Sequence, residues 1–224
     1  MAQPLCLEAK RCSRLVRYAV ASLFLLSPAR AWATTLSYRV WLSALEIGTY
    51  TNAISHSGDE DVIVTTRLRI NVLWGVRRES SDRVARWRGG RLMTFDSSTT
   101  WSDGSQSSVH GEAQGNKFQI TVPGKPTVLV PPDVFPSNPW SPDLVNASWI
   151  MAENTGLAEP GRVSGGQREI VEINHQQVSA RRWVIQSEHE NSVVWFDDRG
   201  IAVKFDAQVA GRTIVFTLDS EQAS

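Results

Sequence analysis

Residues Val62 to Trp101 constrain the fold most, because they read as three strands in succession. Val62, Val64, Thr66, Leu68, Ile70 and Val72 alternate with Ile63, Thr65, Arg67, Arg69, Asn71 and Leu73. That is the period of two a pleated strand imposes on its side chains, with one apolar face and one mostly polar face. After Trp74-Gly75, Val76 to Arg88 reads as a second strand, and Gly89-Gly90 supplies the positive φ angles of a tight hairpin turn. Arg91 to Trp101 then folds back antiparallel. Three paired strands with one apolar face make the smallest sheet stable by itself, so this meander is the expected nucleus for further strands.

The first 33 residues carry Lys10, Arg11, Arg14 and Arg17, then the apolar run Tyr18 to Leu26, then Ala29-Arg30-Ala31 and Ala31-Trp32-Ala33. This order of basic, apolar and small residues is that of a secretory signal peptide, cleaved after Ala31 or Ala33. The apolar run is too short for the ~20 residues a spanning helix needs. Cys6 and Cys12 both precede that run, so residues 34–224 contain no cysteine. Five of the 23 Lys and Arg and one of the 23 Asp and Glu also fall in the first 33 residues, leaving 18 against 22 and a net charge of −4. Global attraction to nucleic acid is not expected from that balance. The chain is expected in the periplasm or secreted, with no transmembrane helix after cleavage.

The remainder, 34–224, reads as one antiparallel β domain. Leu36 to Leu42 and Leu45 to Ile54 form a first hairpin. His56, Gly58, Asp59, Glu60 and Asp61 make a charged turn into the meander. Ser105 to Gln114 and Lys117 to Val122 continue it. Gln167 to Asn174, Val178 to Glu188, Ser192 to Asp197, Ile201 to Val209 and Thr213 to Leu218 follow, with short connections suited to antiparallel neighbours. The expected fold is all-β, a single curved sheet of about 11 to 12 strands rolled into an open or closed barrel. Between them, residues 123–165 form a crossover rich in proline and tryptophan. All eight prolines after residue 33 lie from Pro123 to Pro160. Proline cannot donate to a ladder, so the segment is excluded from the central sheet. Ser141, Pro142 and Asp143 predict the cap and first turn of one short helix ending near Ala147. Phe135, Trp140 and Trp149 are expected to turn inward over the sheet, as a hydrophobic plug or as a ligand lid.

Two clusters carry candidate chemistry. If Ser102-Asp103-Gly104 is a three-residue hairpin loop with Gly104 in the left-handed region, Trp101 pairs with Ser105 and Asp96 faces His110. The same register sets Ser98 against Ser108, Thr100 against Gln106 and Thr94 against Glu112. Asp96 and His110 are thus weak catalytic candidates, a carboxylate able to orient an imidazole, or simply part of an exposed polar face. The second cluster is Arg67, Arg69, Arg77, Arg78, Arg83, Arg86, Arg88 and Arg91, with only Glu79 and Asp82 for company. Arginine forks suit carboxylate and phosphate, so Arg77, Arg83 and Arg86 are candidate contacts for an anionic head group or acidic protein partner. The alternative is a solvated face with stems lying over Trp74 and Trp87. No nucleotide-cradling, zinc-protease or serine-hydrolase motif is present, and His56, His110, His175 and His189 are scattered. No cofactor and no metal are expected.

Several stretches also resemble the bacterial exported family designated domain of unknown function 6134. They are Tyr38-Arg39-Val40 with Ile47-Gly48-Thr49, Trp87 to Leu92 running into Asp96-Ser97-Ser98-Thr99, Phe135-Pro136-Ser137-Asn138-Pro139-Trp140-Ser141-Pro142, and Trp195-Phe196-Asp197-Asp198-Arg199-Gly200. The likeness runs from about Leu36 to Leu218 and is most specific in the Pro-Trp segment. It implies an extracytoplasmic β-rich protein and carries no activity.

Three functions follow as expectations. The first is an exported, non-enzymatic binding or carrier protein whose rolled sheet holds an apolar or amphipathic molecule, with Phe135, Trp140 and Trp149 among its contacts. The second is a periplasmic assembly or interaction factor using the arginine face. The third is a hydrolase or isomerase built on Asp96 and His110.

Overall fold

A computed structural model describes residues 32–58, 60–71, 78–209 and 211–223. The signal-peptide expectation for residues 1–31, and the expectations for Asp59, Trp74 and Arg77, fall outside these residues. The fold is all-β, as the alternation implies. Strands β1 (Trp32–Leu42), β2 (Leu45–Ser57), β3 (Asp61–Asn71), β4 (Arg78–Arg88), β5 (Arg91–Trp101), β6 (Gln106–Gln114), β7 (Lys117–Thr121) and β8 (Val128–Val130) form one antiparallel meander. A second meander comprises β12 (Arg162–Ile173), β13 (Gln176–Gln186), β14 (Asn191–Phe196), β15 (Ala202–Val209) and β16 (Arg212–Ala223). The two are joined side by side through β16 and β1, giving a 13-stranded sheet with β12 and β8 at its edges.

The sheet is therefore open, and wider than the 11 to 12 strands expected. Its extra member is β8, three residues at an edge, where proline-flanked backbone is tolerated. The proline segment also makes a small separate sheet from β9 (Val134–Pro136), β10 (Trp149–Met151) and β11 (Ala158–Pro160). The expected short helix is only a 3-10 turn, Pro142–Asn146. Ser141 does cap it, its Oγ accepting from the Asp143 N–H.

Inner-face residues alternate inward as period two demands. Tyr38 and Val40 of β1, Tyr50 and Ile54 of β2, Val64 and Leu68 of β3, and Ala85 and Trp87 of β4 are all buried. They share one apolar cluster with Phe95, Phe118, Phe205 and Phe216, and with Phe135, Leu144, Ile150 and Met151 from the proline segment. The sheet curves enough for strands two and three places apart to meet on its inner face: Phe205 on β15 packs edge-on to Tyr38 on β1 and Tyr50 on β2, with ring centroids 5.3 and 5.4 Å apart. Bulges help it curve, since each adds local twist. One falls between Val40 and Trp41 and another between Arg86 and Trp87. A smaller cluster of Ile173, Ala180, Trp195 and Val203 packs separately. Arg182 and Lys204 lie over the Trp195 ring, which donates its Nε1–H to Glu169.

Gly48 sits beside the first bulge, and its missing side chain is structural. A Cβ there would lie 2.0 Å from the Arg69 carbonyl oxygen, which is backbone and has no rotamer to change. Gly48→Ala should therefore destabilise the fold by ~3 kcal/mol, the upper end of what overpacking costs. Urea unfolding measures it, and an unchanged midpoint would contradict the close approach.

Candidate functional site

The inner face is not purely apolar. Thr66, Ser81, Ser97 and Thr99 are buried among the aliphatic residues, with Asn52 and Arg83 beside them. Their partners explain the burial, since a buried polar group without one costs ~1 to 3 kcal/mol. Asn52 and Asn138 form a reciprocal carboxamide pair, each Nδ2 donating to the other's Oδ1 at 3.0 Å. Thr66 Oγ1 donates to Asn52 Oδ1 at 2.8 Å and accepts from Asn138 Nδ2 at 2.8 Å. Ser97 Oγ donates to the Glu153 carbonyl at 2.6 Å and Ser107 Oγ to the Asn154 carbonyl at 2.9 Å. Side chains of the sheet thus bind the proline segment where no ladder can.

Arg83 belongs to this inner set. On β4 it shares the face of Ser81, Ala85 and Trp87, and its Nη1 meets Glu153 Oε2 at 2.9 Å with both side chains 9% exposed. Arg86 points the opposite way and is exposed. The expected arginine surface is therefore split by strand parity, with Arg83 inside. Three of the exposed arginines are also engaged. Arg69 Nη2 donates to both carboxylate oxygens of Asp82 at 2.8 and 2.9 Å, Arg67 approaches the same carboxylate at 3.6 Å, and Arg88 pairs with Asp61 at 2.8 Å.

Arg83 and Glu153 line a partly open cavity of about 280 Å³ between sheet and proline segment. Its apolar wall includes Ile47, Tyr50, Leu68, Ile70, Phe205 and Phe216. Its polar wall adds Glu79, Ser137, Asn138 and Glu190. Burial holds the Glu153 carboxyl above its ordinary range, and the Arg83 charge opposes that rise. Burial also pushes Glu190 from an ordinary 4.5 up to about 7, reinforced by Glu153 and Glu159 and opposed by a Ser137 hydrogen bond and Arg83.

No tryptophan is among the described residues that line this cavity, contrary to expectation. Phe135 is buried with its ring centroid 4.7 Å from Trp87 and 6.1 Å from Trp140. Trp140 and Trp149 are half-buried and packed on the main cluster. All three face inward as expected, and they act as packing beside the cavity, whose wall takes their neighbours Ser137, Asn138 and Pro139.

The β5–β6 register matches the expected one. Gly104 has φ of 80°, Trp101 N–H donates to Ser105 O, and Asp96 faces His110 with Oδ1 and Nδ1 2.8 Å apart. Both side chains are more than half exposed. On an open face, without a cleft to exclude water, this arrangement is that of a solvated polar ladder. The remaining histidines are apart from it: His56 stacks on Trp32, His175 lies near Glu172 and His189 pairs with Glu159.

Two outcomes follow. Arg83→Met strands the Glu153 carboxyl and should cost ~3 to 5 kcal/mol, much of it recovered when Glu153→Leu is added; denaturant unfolding of both variants tests the pair, and equal stability of the single variant and the parent would contradict it. Because the folded-state pKa of Glu190 is raised, the native state binds the extra proton, and stability falls as pH rises from about 4.5 through about 7. Glu190→Gln should flatten that slope and raise stability at pH 8 by on the order of 2 kcal/mol. Thermal unfolding across that pH range reads it, and an unaltered slope would show Glu190 to be well solvated.

The comparisons with known proteins bear on the fold. The crystal structure of a β-barrel-like protein of domain of unknown function DUF1849 from Brucella abortus is similar to this chain with a TM-score of 0.62 and 10% identity, over 86% of this chain and 98% of that one. A domain described as an outer membrane lipoprotein-sorting protein from Vibrio parahaemolyticus aligns over 87% of this chain and 85% of its own, at 11% identity and a TM-score of 0.24. No curated protein matches the sequence. Among the described residues no helix is long and apolar enough to cross a membrane. The family model for a domain of unknown function (DUF6134) matches residues 38–219, and the chain belongs to that family.

Proposed function

We propose that the protein is an exported, non-enzymatic binding or carrier protein that holds a small apolar or amphipathic molecule between its sheet and its proline segment. The cavity of about 280 Å³ carries this reading. It lies near the lower end of the ~300 to 1,000 Å³ typical of small-molecule sites, and it combines an apolar wall with a few convergent polar groups, as such sites do. Its perturbed carboxyls add support, since strongly shifted groups gather where a protein binds or reacts. The segment roofing it contributes Ser137, Asn138, Pro139 and Glu153, so a lid role for this segment would fall to these neighbours of the packed Phe135 and Trp140. The basic, apolar and small-residue order of the first 33 residues supports export to the periplasm.

The assembly-factor reading has less behind it, because Arg83 is inside and Arg67, Arg69 and Arg88 already face carboxylates. A hydrolase or isomerase on Asp96 and His110 lacks a cleft at that pair. Native mass spectrometry of the protein gently recovered from the periplasmic fraction tests the carrier reading. The expected spectrum shows a chain beginning at Trp32 or Thr34 with a small-molecule adduct that organic extraction removes. A mass equal to the bare chain in every preparation would overturn the carrier, and an intact Met1 would overturn export.

A further inference from the structure

The wall of the cavity is acidic. Glu79, Glu153 and Glu190 line it, and Arg83 is the one cation among its described lining residues. That cation is engaged, its Nη1 lying 2.9 Å from Glu153. Glu79 therefore has no counter-charge of its own among the described lining residues, and Glu190 shares the single Arg83 charge with Glu153. Arg83 is 8% exposed and its Nε–H has no acceptor, so the polar end also retains an unsatisfied buried donor. A group of three aromatic rings lines the same space. Phe205 and Phe216 are stacked with centroids 4.3 Å apart, and Tyr50 stands edge-on to each at 5.4 Å.

These features select among head groups. A carboxylate head would enter beside Glu79 and Glu190 as a third like charge, which costs it its ionised form or its place. An ammonium head is attracted by both carboxylates, and it gains further from aromatic quadrupoles when desolvated near a ring face. An oxygen beside that ammonium would supply the acceptor that the Arg83 Nε–H lacks. The volume suits a short chain, which would lie along Leu68, Ile70 and Ile214.

We propose that the cavity takes a small cationic amphiphile, a protonated amine facing Glu79 and Glu190 with its apolar chain against the aromatic and aliphatic wall. This rests on the carrier reading of the same cavity. Isothermal titration calorimetry of the purified protein at pH 8 with octylamine, octanol and octanoate tests both. Octylamine is expected to bind about tenfold more tightly than octanol, with octanoate weakest, as a desolvated charge contact implies. In the double variant Glu79→Gln, Glu190→Gln, confirmed folded by circular dichroism, octylamine should fall to the affinity of octanol. Octanol or octanoate binding as tightly as octylamine would overturn the cationic ligand and leave the carrier reading standing. So would an amine advantage that survives in the double variant. Failure of all three probes to bind would bring down the carrier reading itself.

Discussion

The reciprocal carboxamide pair of Asn52 and Asn138, closed by Thr66, is the contact on which the arrangement turns. A 13-stranded sheet with one apolar face must hide that face, and the described residues offer no α-helix to do so. The cover is a proline-rich segment, which adds only the short edge strand Val128–Val130 to the sheet's ladder, because proline lacks the N–H donor. Attachment therefore falls to side chains reaching from the sheet: Asn52 and Thr66 to Asn138, Ser97 to Glu153, and Arg83 to the same glutamate's carboxylate. The Asn52 amide, the Ser97 hydroxyl and the Arg83 Nη1 meet these partners only when the segment is seated. That dependence fixes the position of the cover more tightly than apolar contact alone, which is indifferent to small slips. The cavity is the space left beside these contacts, and the same residues that seat the segment shape its polar end.

Much of this was legible in the sequence where a local rule was decisive. Gly104 in a three-residue loop set the pairing of Asp96 with His110, and Gly89-Gly90 set the β4–β5 hairpin. Proline content separated the crossover from the central sheet. The inward polar residues were harder to see, because Thr66 and Ser97 look like interruptions of an apolar stripe until their partners in the proline segment, 72 and 56 positions away, are known. Arg83 is the instructive case. Composition grouped it with seven neighbouring arginines, yet strand parity placed it with Trp87, whose bulk belongs in the core. Applying that parity would have separated Arg83 from Arg86 and raised the question of its buried partner. Glu153 itself carried no signal, since its position depends on tertiary docking of an irregular segment.

The charge pattern divides along the same parity. The outward-facing Arg67, Arg69 and Arg88 meet acids in water, where such pairs contribute little. The inward one meets its acid away from water, where removing either partner is costly. One sequence cluster thus yields two physical roles, and only the inner member bears on the cavity.

The ladder between β1 and β16 has a consequence for the order of folding. Each of the two meanders, β1 to β8 and β12 to β16, pairs only with strands close in the chain, while Trp41 and Thr217 on the joining strands are 176 residues apart. Contacts of such separation form slowly, since the chain between them must first be ordered or looped. A growing polypeptide can assemble the first half-sheet early, but β1 remains an unguarded edge until β16 emerges and docks. Loss of β16 would leave β1 open to pairing with another molecule, so a truncation that removes Arg212–Ala223 would be felt about 180 positions earlier, at β1.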